Sequence, residues 1–368
     1  MEESREKDYI YTENMSVGYG GKPLIEQIEL HVRRGEIVTL IGPNGAGKST
    51  ILKSIIRELS LVKGAVYLDG SVMEHIPERE TAKRMSILMT ERIRPEFMTC
   101  EDVVSTGRYP YTGHLGILSK EDWKKVGEAM ELVHAENLAK RDFSEISDGQ
   151  RQRILLARAI CQEPEAIVLD EPTSFLDIRH KLELLTILKD LVMKRRMAVL
   201  MSLHELDLAQ KLSDYIVCVN GSSIERYGTP EEIFTSSYIK KLYGITKGSY
   251  YAELGCLELE KVKGEPQIFV IGGNGTGIPV YRELQRKGIP FAAGVLHKND
   301  IEYPVAEALA VEVISETPFE PISEKTYERA AALLKSCQSV VCCLTEFGTM
   351  NEKNRLLAEL GRGEKGGK

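Results

Sequence analysis

A chain of 368 residues exceeds what one hydrophobic core usually organises, so two domains are expected. Hydrophobic residues make up 42% and charged residues 28%, a globular composition; no run approaches the roughly 20 apolar residues of a membrane-spanning helix, and MEESREKDYI lacks an apolar leader. Lys plus Arg number 48 against 55 Asp plus Glu, a net charge of -7 that argues against bulk nucleic-acid binding, and seven scattered cysteines without a CxxC pair signal neither a disulfide framework nor a zinc site. A cytosolic chain with reduced thiols is the expectation.

From Tyr9 to about Asp69 the pattern is strand-like, with short apolar runs such as Ile37 to Ile41 broken by glycine turns. Between roughly Arg92 and Cys161 the texture turns helical, as where Trp123, Val126, Met130 and Val133 recur at intervals of three and four. Strand runs return at Ala166 to Leu169, Ala198 to Ser202 and Tyr215 to Val219 with helices between them, which predicts α/β order around a parallel sheet. The expected first domain covers residues 1–246, with a helical subdomain at about 92–161. Residues 247–264 read as a linker. From Gln267 a second alternation begins (QIFVI, FAAGVL, VEVIS, SVVCCL), predicting a smaller doubly wound domain over 265–368. Within VVCCL, Cys342 and Cys343 should face opposite sides of a strand and serve as core.

The strongest chemical signal is GPNGAGKST. Here Gly42, Gly47, Lys48 and Ser49 fill G-x-x-x-x-G-K-[ST] directly after the apolar strand IVTLI and before the helix STILKSII. Such a loop, from Gly42 through Pro43, Asn44, Gly45, Ala46 and Gly47 to Lys48, Ser49 and Thr50, turns backbone N–H groups inward around a polyphosphate. Lys48 should reach the terminal phosphates and Ser49 should ligate Mg2+. Downstream, the apolar strand from Ala166 ends in Asp170 and Glu171, two carboxylates at the edge where a parallel sheet presents catalytic groups. Asp170 is the expected metal ligand and Glu171 the base that polarises the attacking water.

ISDGQRQR, from Ile146, resembles with these motifs the signature of ABC-transporter ATPases, written LSGGQ in that family. The likeness covers about residues 9 to 240. It implies a P-loop NTPase of ABC type with a RecA-like core, an antiparallel β subdomain and a helical subdomain, binding ATP and Mg2+ and hydrolysing ATP. It further implies that Tyr19 stacks on adenine, that Ser174 to Asp177 form the D-loop, and that His204 is the switch histidine donating to the γ-phosphate. Two copies should pair head to tail, with Ser147, Gly149 and Gln150 of one closing on the γ-phosphate held by Lys48 of the other. Two positions depart from the pattern. Thr90, or Glu91 with a slip of one, stands where the family has the glutamine of its Q-loop. Asp148 stands where the signature has a glycine, and is expected to cap its own helix.

STGRYPYTGHLG and YGTPEEIF resemble the ATPase subunits that energise uptake of iron chelates, haem or cobalamin. That likeness implies a separate membrane permease, an extracytoplasmic solute-binding protein, and a peripheral position on the cytoplasmic face of the membrane. The segment from about Thr90 to Gly116 would receive the permease, with Arg108, Tyr109 and Tyr111 as contacts. A soluble ABC protein of translation or repair should carry two ATPase units or coiled-coil arms, absent from this sequence; a switch that binds ATP without useful turnover has only the odd Q-loop in its favour.

The second domain opens with IFVIGGNGTGIPVYRELQRKG, a strand, a glycine loop and a helix, a geometry that suits anions. The spacing is not that of a dinucleotide fingerprint, and no acid stands clearly at the end of FAAGVL to hold a ribose. Gly273, Gly275, Asn299 and Asp300 are the expected lining of a regulatory small-molecule site.

Overall fold

The computed structural model describes residues 8–89, 95, 97–113, 115–174, 176–252 and 255–365, and divides the chain into two compact units, Met1–Tyr238 and Ile239–Lys368. In the first unit, β1 (Asp8–Tyr19), β2 (Lys22–Ile28), β3 (His31–Arg33), β5 (Lys63–Leu68) and β6 (Ser71–Val72) form an antiparallel sheet in the order β2-β1-β5-β6, with β3 also on β1. The central sheet contains β4 (Ile37–Ile41), β7 (Met85–Leu88), β8 (Ala166–Asp170), β9 (Ala198–Ser202), β10 (Tyr215–Val219) and β11 (Ile224–Gly228), ordered β11-β10-β4-β9-β8-β7. Its pairings are parallel except for the edge strand β11.

Every residue of β4, β8 and β9 is buried, which explains why these strands read as unbroken apolar runs: a parallel sheet is covered on both faces. One core joins Met15, Val17 and Ile25 of the antiparallel sheet to Leu40, Val168 and Leu200 of the central one, with Ile51, Leu52 and Ile55 of the helix Lys48–Ile55 packed among them. Register then sets the site. Ser202 of β9 lies opposite both Leu40 of β4 and Asp170 of β8, so these strands end level, and the loops that follow emerge at one edge.

The helical insert holds Cys100–Ser105, Lys120–Leu132 and Asp148–Cys161, each opened by a capping box: Thr99 with Asp102, Ser119 with Asp122, Ser147 with Gln150. Val126, Met130 and Val133 are buried as the spacing predicts, whereas Trp123 stays 43% exposed in the first turn. Among the described residues no helix is long and apolar enough to cross a membrane.

In the second unit, β14 (Ile268–Ile271), β15 (Phe291–His297), β16 (Glu312–Glu316) and β17 (Ser339–Cys342) form a parallel sheet in the order β16-β15-β14-β17. Phe269 and Ile271 join one core with Ala330, Leu334 and Leu357, while Val270 joins the other with Tyr281, Leu284 and Val305. Cys342 packs against the first core and Cys343 against the second, the strand alternation expected of that pair.

The segment 247–264 is not the plain linker expected of it. It carries an antiparallel hairpin of β12 (Ser249–Tyr251) and β13 (Cys256–Glu258), and the buried Glu258 accepts a hydrogen bond from Arg282 Nε at 3.1 Å in the same unit. Strands of three residues are too short to show a period of two, so the sequence pattern gave no sign of them. The units divide between Tyr238 and Ile239, within the helix Ser236–Leu242, rather than near residue 246.

Candidate active site

The buried strand β4 ends at Ile41 and the chain turns at Gly42, where no side chain could fit: a Cβ there would stand 2.1 Å from the carbonyl oxygen of Val219. The loop closes at Gly47, which precedes the helix Lys48–Ile55 in the N-cap position. Lys48 is 5% exposed, and its ammonium donates to the carbonyl oxygens of Gly42 at 2.8 Å and Pro43 at 3.1 Å. Burial lowers its pKa, against the opposing pull of Glu171 and Asp170.

Asp170 and Glu171 end β8 in different surroundings. Asp170 is buried, and its Oδ1 accepts from Ser49 Oγ at 3.1 Å and from Ser202 Oγ at 2.6 Å. Glu171 takes a left-handed backbone (φ 48°), its N–H donating to Ser202 Oγ at 3.0 Å. That bend turns the carboxylate outward, where Oε2 accepts from Ser174 Oγ at 3.1 Å and Oε1 bonds His204 Nε2. Tyr19 stands 59% exposed with its hydroxyl 3.2 Å from Thr50 Oγ1. Tyr19, Asn44, Lys48, Ser49, Glu171 and His204 line one cavity of about 520 Å3, within the size range of small-molecule sites. Strand register thus gathers residues separated by up to 185 positions, from Tyr19 to His204, around one space.

Ser49 and Asp170 offer one hydroxyl and one carboxylate, hard oxygen donors suited to magnesium, which keeps several waters and shares its shell with phosphate oxygens. Among the described residues no group of three or more His, Cys, Asp or Glu could hold a metal.

Ser147, Gly149 and Gln150 do not line this cavity. Ser147 is the exposed N-cap of Asp148–Cys161, its Oγ accepting from Gln150 N at 3.3 Å while Gln150 Oε1 accepts from Ser147 N at 3.1 Å. Asp148 is therefore not the cap expected of it. It is the first helical residue and pairs with Arg151 Nη1 at 2.6 Å, because the capping place one residue earlier belongs to the serine. Asp177 caps the helix Ile178–Arg195 by accepting from His180 N at 2.9 Å. Thr90 and Glu91 lie outside the described residues.

Ser202 was missed by reading the sequence. A polar residue ending the apolar run AVLMS was the available signal, but its partners appear only once β8 and β9 are in register. Arg108, expected as a surface contact, is instead 5% exposed, donating to Asp122 Oδ1 at 3.0 Å, Glu163 Oε2 at 3.0 Å and the Cys161 carbonyl at 2.8 Å. Tyr111 bonds the Gln162 carbonyl beneath it, whereas Tyr109 remains 55% exposed.

The second glycine loop is already occupied by the protein itself. Glu302, fully buried, accepts from the N–H groups of Gly273 and Gly277 at 2.9 Å each and from the Tyr281 hydroxyl. Asp300 accepts from Asn274 N at 2.8 Å. A Cβ at Gly277 would stand 2.1 Å from a Glu302 oxygen, so this glycine makes room for an internal carboxylate rather than for a ligand. Of the residues expected to line a regulatory small-molecule site with Gly273, Asp300 faces into the loop, Gly275 lies in its turn, and Asn299 is exposed beside it.

A buried strand, a phosphate loop on a helix N-terminus and paired carboxylates at the end of β8 define a P-loop nucleotide hydrolase. The ABC transporter family profile matches residues 25–174, and a second profile, the MJ0874 family, matches residues 291–365. An uncharacterized ABC transporter ATP-binding protein of Methanocaldococcus jannaschii is 42% identical over 77% of this chain and 99% of its own length. The iron(3+)-hydroxamate import ATP-binding protein FhuC of Bacillus subtilis is 36% identical over 64% of this chain and 87% of its own. A solved structure of an ATP-binding subunit of an ABC transporter superposes with a TM-score of 0.55 at 25% identity, covering 61% of this chain and 91% of that one. The chain belongs to the ATP-binding proteins of ABC transporters, and it is an ATPase.

Proposed function

We propose that the chain is the ATP-hydrolysing subunit of an importer, pairing head to tail with a second copy and driving a separate permease that takes up an iron chelate, haem or cobalamin. It works from the cytoplasmic face as a peripheral subunit, with an extracytoplasmic solute-binding protein in the same system. The observation that carries the hydrolytic reading is the Glu171 carboxylate, turned out of β8 and held between Ser174 and His204 at the cavity that Lys48 also lines.

Phosphoryl transfer asks a protein mainly to position groups and neutralise charge. In this reading Tyr19 offers its ring face to adenine, and the loop N–H groups with Lys48 hold the β- and γ-phosphates. Glu171 orients the attacking water and draws its proton, while His204 steadies Glu171 and donates toward the γ-phosphate. Ser49 and Asp170 would hold Mg2+, which when bound neutralises charge on the phosphate oxygens. Ser147 and Gly149, outside the cavity at an exposed helix N-terminus, suit the closing of a second copy's nucleotide.

Import and its solute rest on the likeness to iron-hydroxamate uptake and on the STGRYPYTGHLG segment. The exposed Tyr109 and a cavity of about 420 Å3 bordered by Thr106, Gly107, Arg57 and Gln162 support that segment as the receiving surface for a permease. Phosphate release by the purified chain with Mg-ATP, and its loss in Glu171→Gln while ATP binding persists, is the expected result; binding without release in the wild type would instead favour a non-hydrolysing switch. Reconstitution with the membrane partner in proteoliposomes, scoring which solute stimulates turnover, then tests the transport assignment.

A further inference from the structure

We propose that His180 is a positioning residue that ties the Asp177 turn to the signature helix, so that the state of one nucleotide site reaches the surface that closes on the other. Asp177 Oδ1 accepts from the backbone N–H of His180 at 2.9 Å and lies 2.8 Å from its ring Nδ1, so one carboxylate fixes both the helix start and the imidazole. The ring then covers Gly149. A Cβ on that glycine would stand 3.1 Å from Nδ1 and 3.3 Å from Cγ of His180, so a larger residue in the signature would have to push the ring aside.

The next residue pulls the other way. Lys181 pairs with Glu205, the neighbour of His204, and Glu205 Oε2 also accepts from Thr173 Oγ1 at 2.9 Å, two residues beyond Glu171. The first turn of Ile178–Arg195 is thereby held on one side by groups adjoining Glu171 and His204, and on the other by Gly149. A shift of the Glu171 and His204 loops on hydrolysis moves that turn, and His180 is the part of it in contact with the signature. This inference rests on the head-to-tail dimer proposed above.

The test uses the full chain. Carrying Glu171→Gln to arrest hydrolysis, it is titrated with ATP while dimer is followed by sedimentation, with and without His180→Ala; labelled-ATP binding to dilute monomer is measured alongside. His180→Ala should raise the ATP concentration needed for dimer about tenfold and lower kcat of the Glu171 chain by a similar factor, with monomer affinity and melting temperature unchanged. His180→Asn, which keeps a donor toward Asp177, should recover most of both. Unchanged dimer formation and kcat in His180→Ala, a loss that His180→Asn fails to recover, or a loss that tracks melting temperature overturns the role of His180. A Glu171→Gln chain that stays monomeric at saturating ATP overturns the dimer reading instead.

Discussion

Asp170 and Glu171 are chain neighbours doing different work, and the serine hydroxyl of Ser202 separates them. It donates to the buried Asp170 and accepts from the N–H of Glu171, so one side chain both satisfies a carboxylate and supports a left-handed residue. Ser202→Ala should therefore cost stability by roughly 1–3 kcal/mol, the range for leaving a buried charged group short of a partner, as read in urea unfolding. Its kcat should fall more than its ATP affinity changes, because Glu171 loses its anchor while the phosphate loop does not. Residues of the phosphate loop are legible in the sequence because motif, strand and helix are contiguous there. Ser202 is not, since its meaning comes from a neighbouring strand 32 positions away. Asp300 and Glu302 show the opposite failure. A glycine loop advertises N–H groups, but no spacing rule says whether an acid 25 to 29 residues later will fill them.

At the scale of elements, the helical insert is assembled from helices that begin in the same way. Ser119 Oγ accepts from Asp122 N, Asp122 Oδ2 accepts from Ser119 N at 2.9 Å, and the other oxygen of Asp122 receives Arg108. The Ser119 hydroxyl, more than Arg108, holds the Asp122 carboxyl below its usual pKa. Ser119→Ala should lower stability by about 1 kcal/mol, the usual worth of an N-cap, measurable as a shift in the urea midpoint at constant slope. Helices of this insert were readable from their apolar spacing, and the central strands from their unbroken runs. The hairpin at Ser249–Tyr251 and Cys256–Glu258 was not, because its three-residue strands are too short to show a period and Glu258 meets Arg282 only in the fold. Arg108 was misread for a related reason: an arginine beside tyrosines looks like a surface, and only the fold brings Asp122 and Glu163 to bury it.

For the molecule as a whole, each unit owns its hydrophobic cores, so cooperative melting within each is expected rather than one transition for the chain. A ligand that binds one native unit raises the stability of that unit by mass action. Scanning calorimetry of the full chain carrying Glu171→Gln should therefore show two transitions, with Mg-ATP moving one of them upward by several degrees at saturating ligand and leaving the other in place. A shift of both would mean that nucleotide binding reaches the second unit as well. The two-unit division was visible in the sequence as a second strand-helix alternation, while its boundary was hidden inside a helix, Ser236–Leu242, that carries no break to mark it.

The buried Glu302 has one more consequence, best put as a competition. A carboxylate joined to its own binding loop by the chain acts as a ligand at an effective concentration set by the tether, millimolar or higher for a short one, and it cannot diffuse away. A free phosphate would have to displace that resident side chain, and would meet Asp300 at the same loop. The chain thus contains two glycine loops, one lining an open cavity and one whose Gly273 and Gly277 N–H groups are taken by its own Glu302.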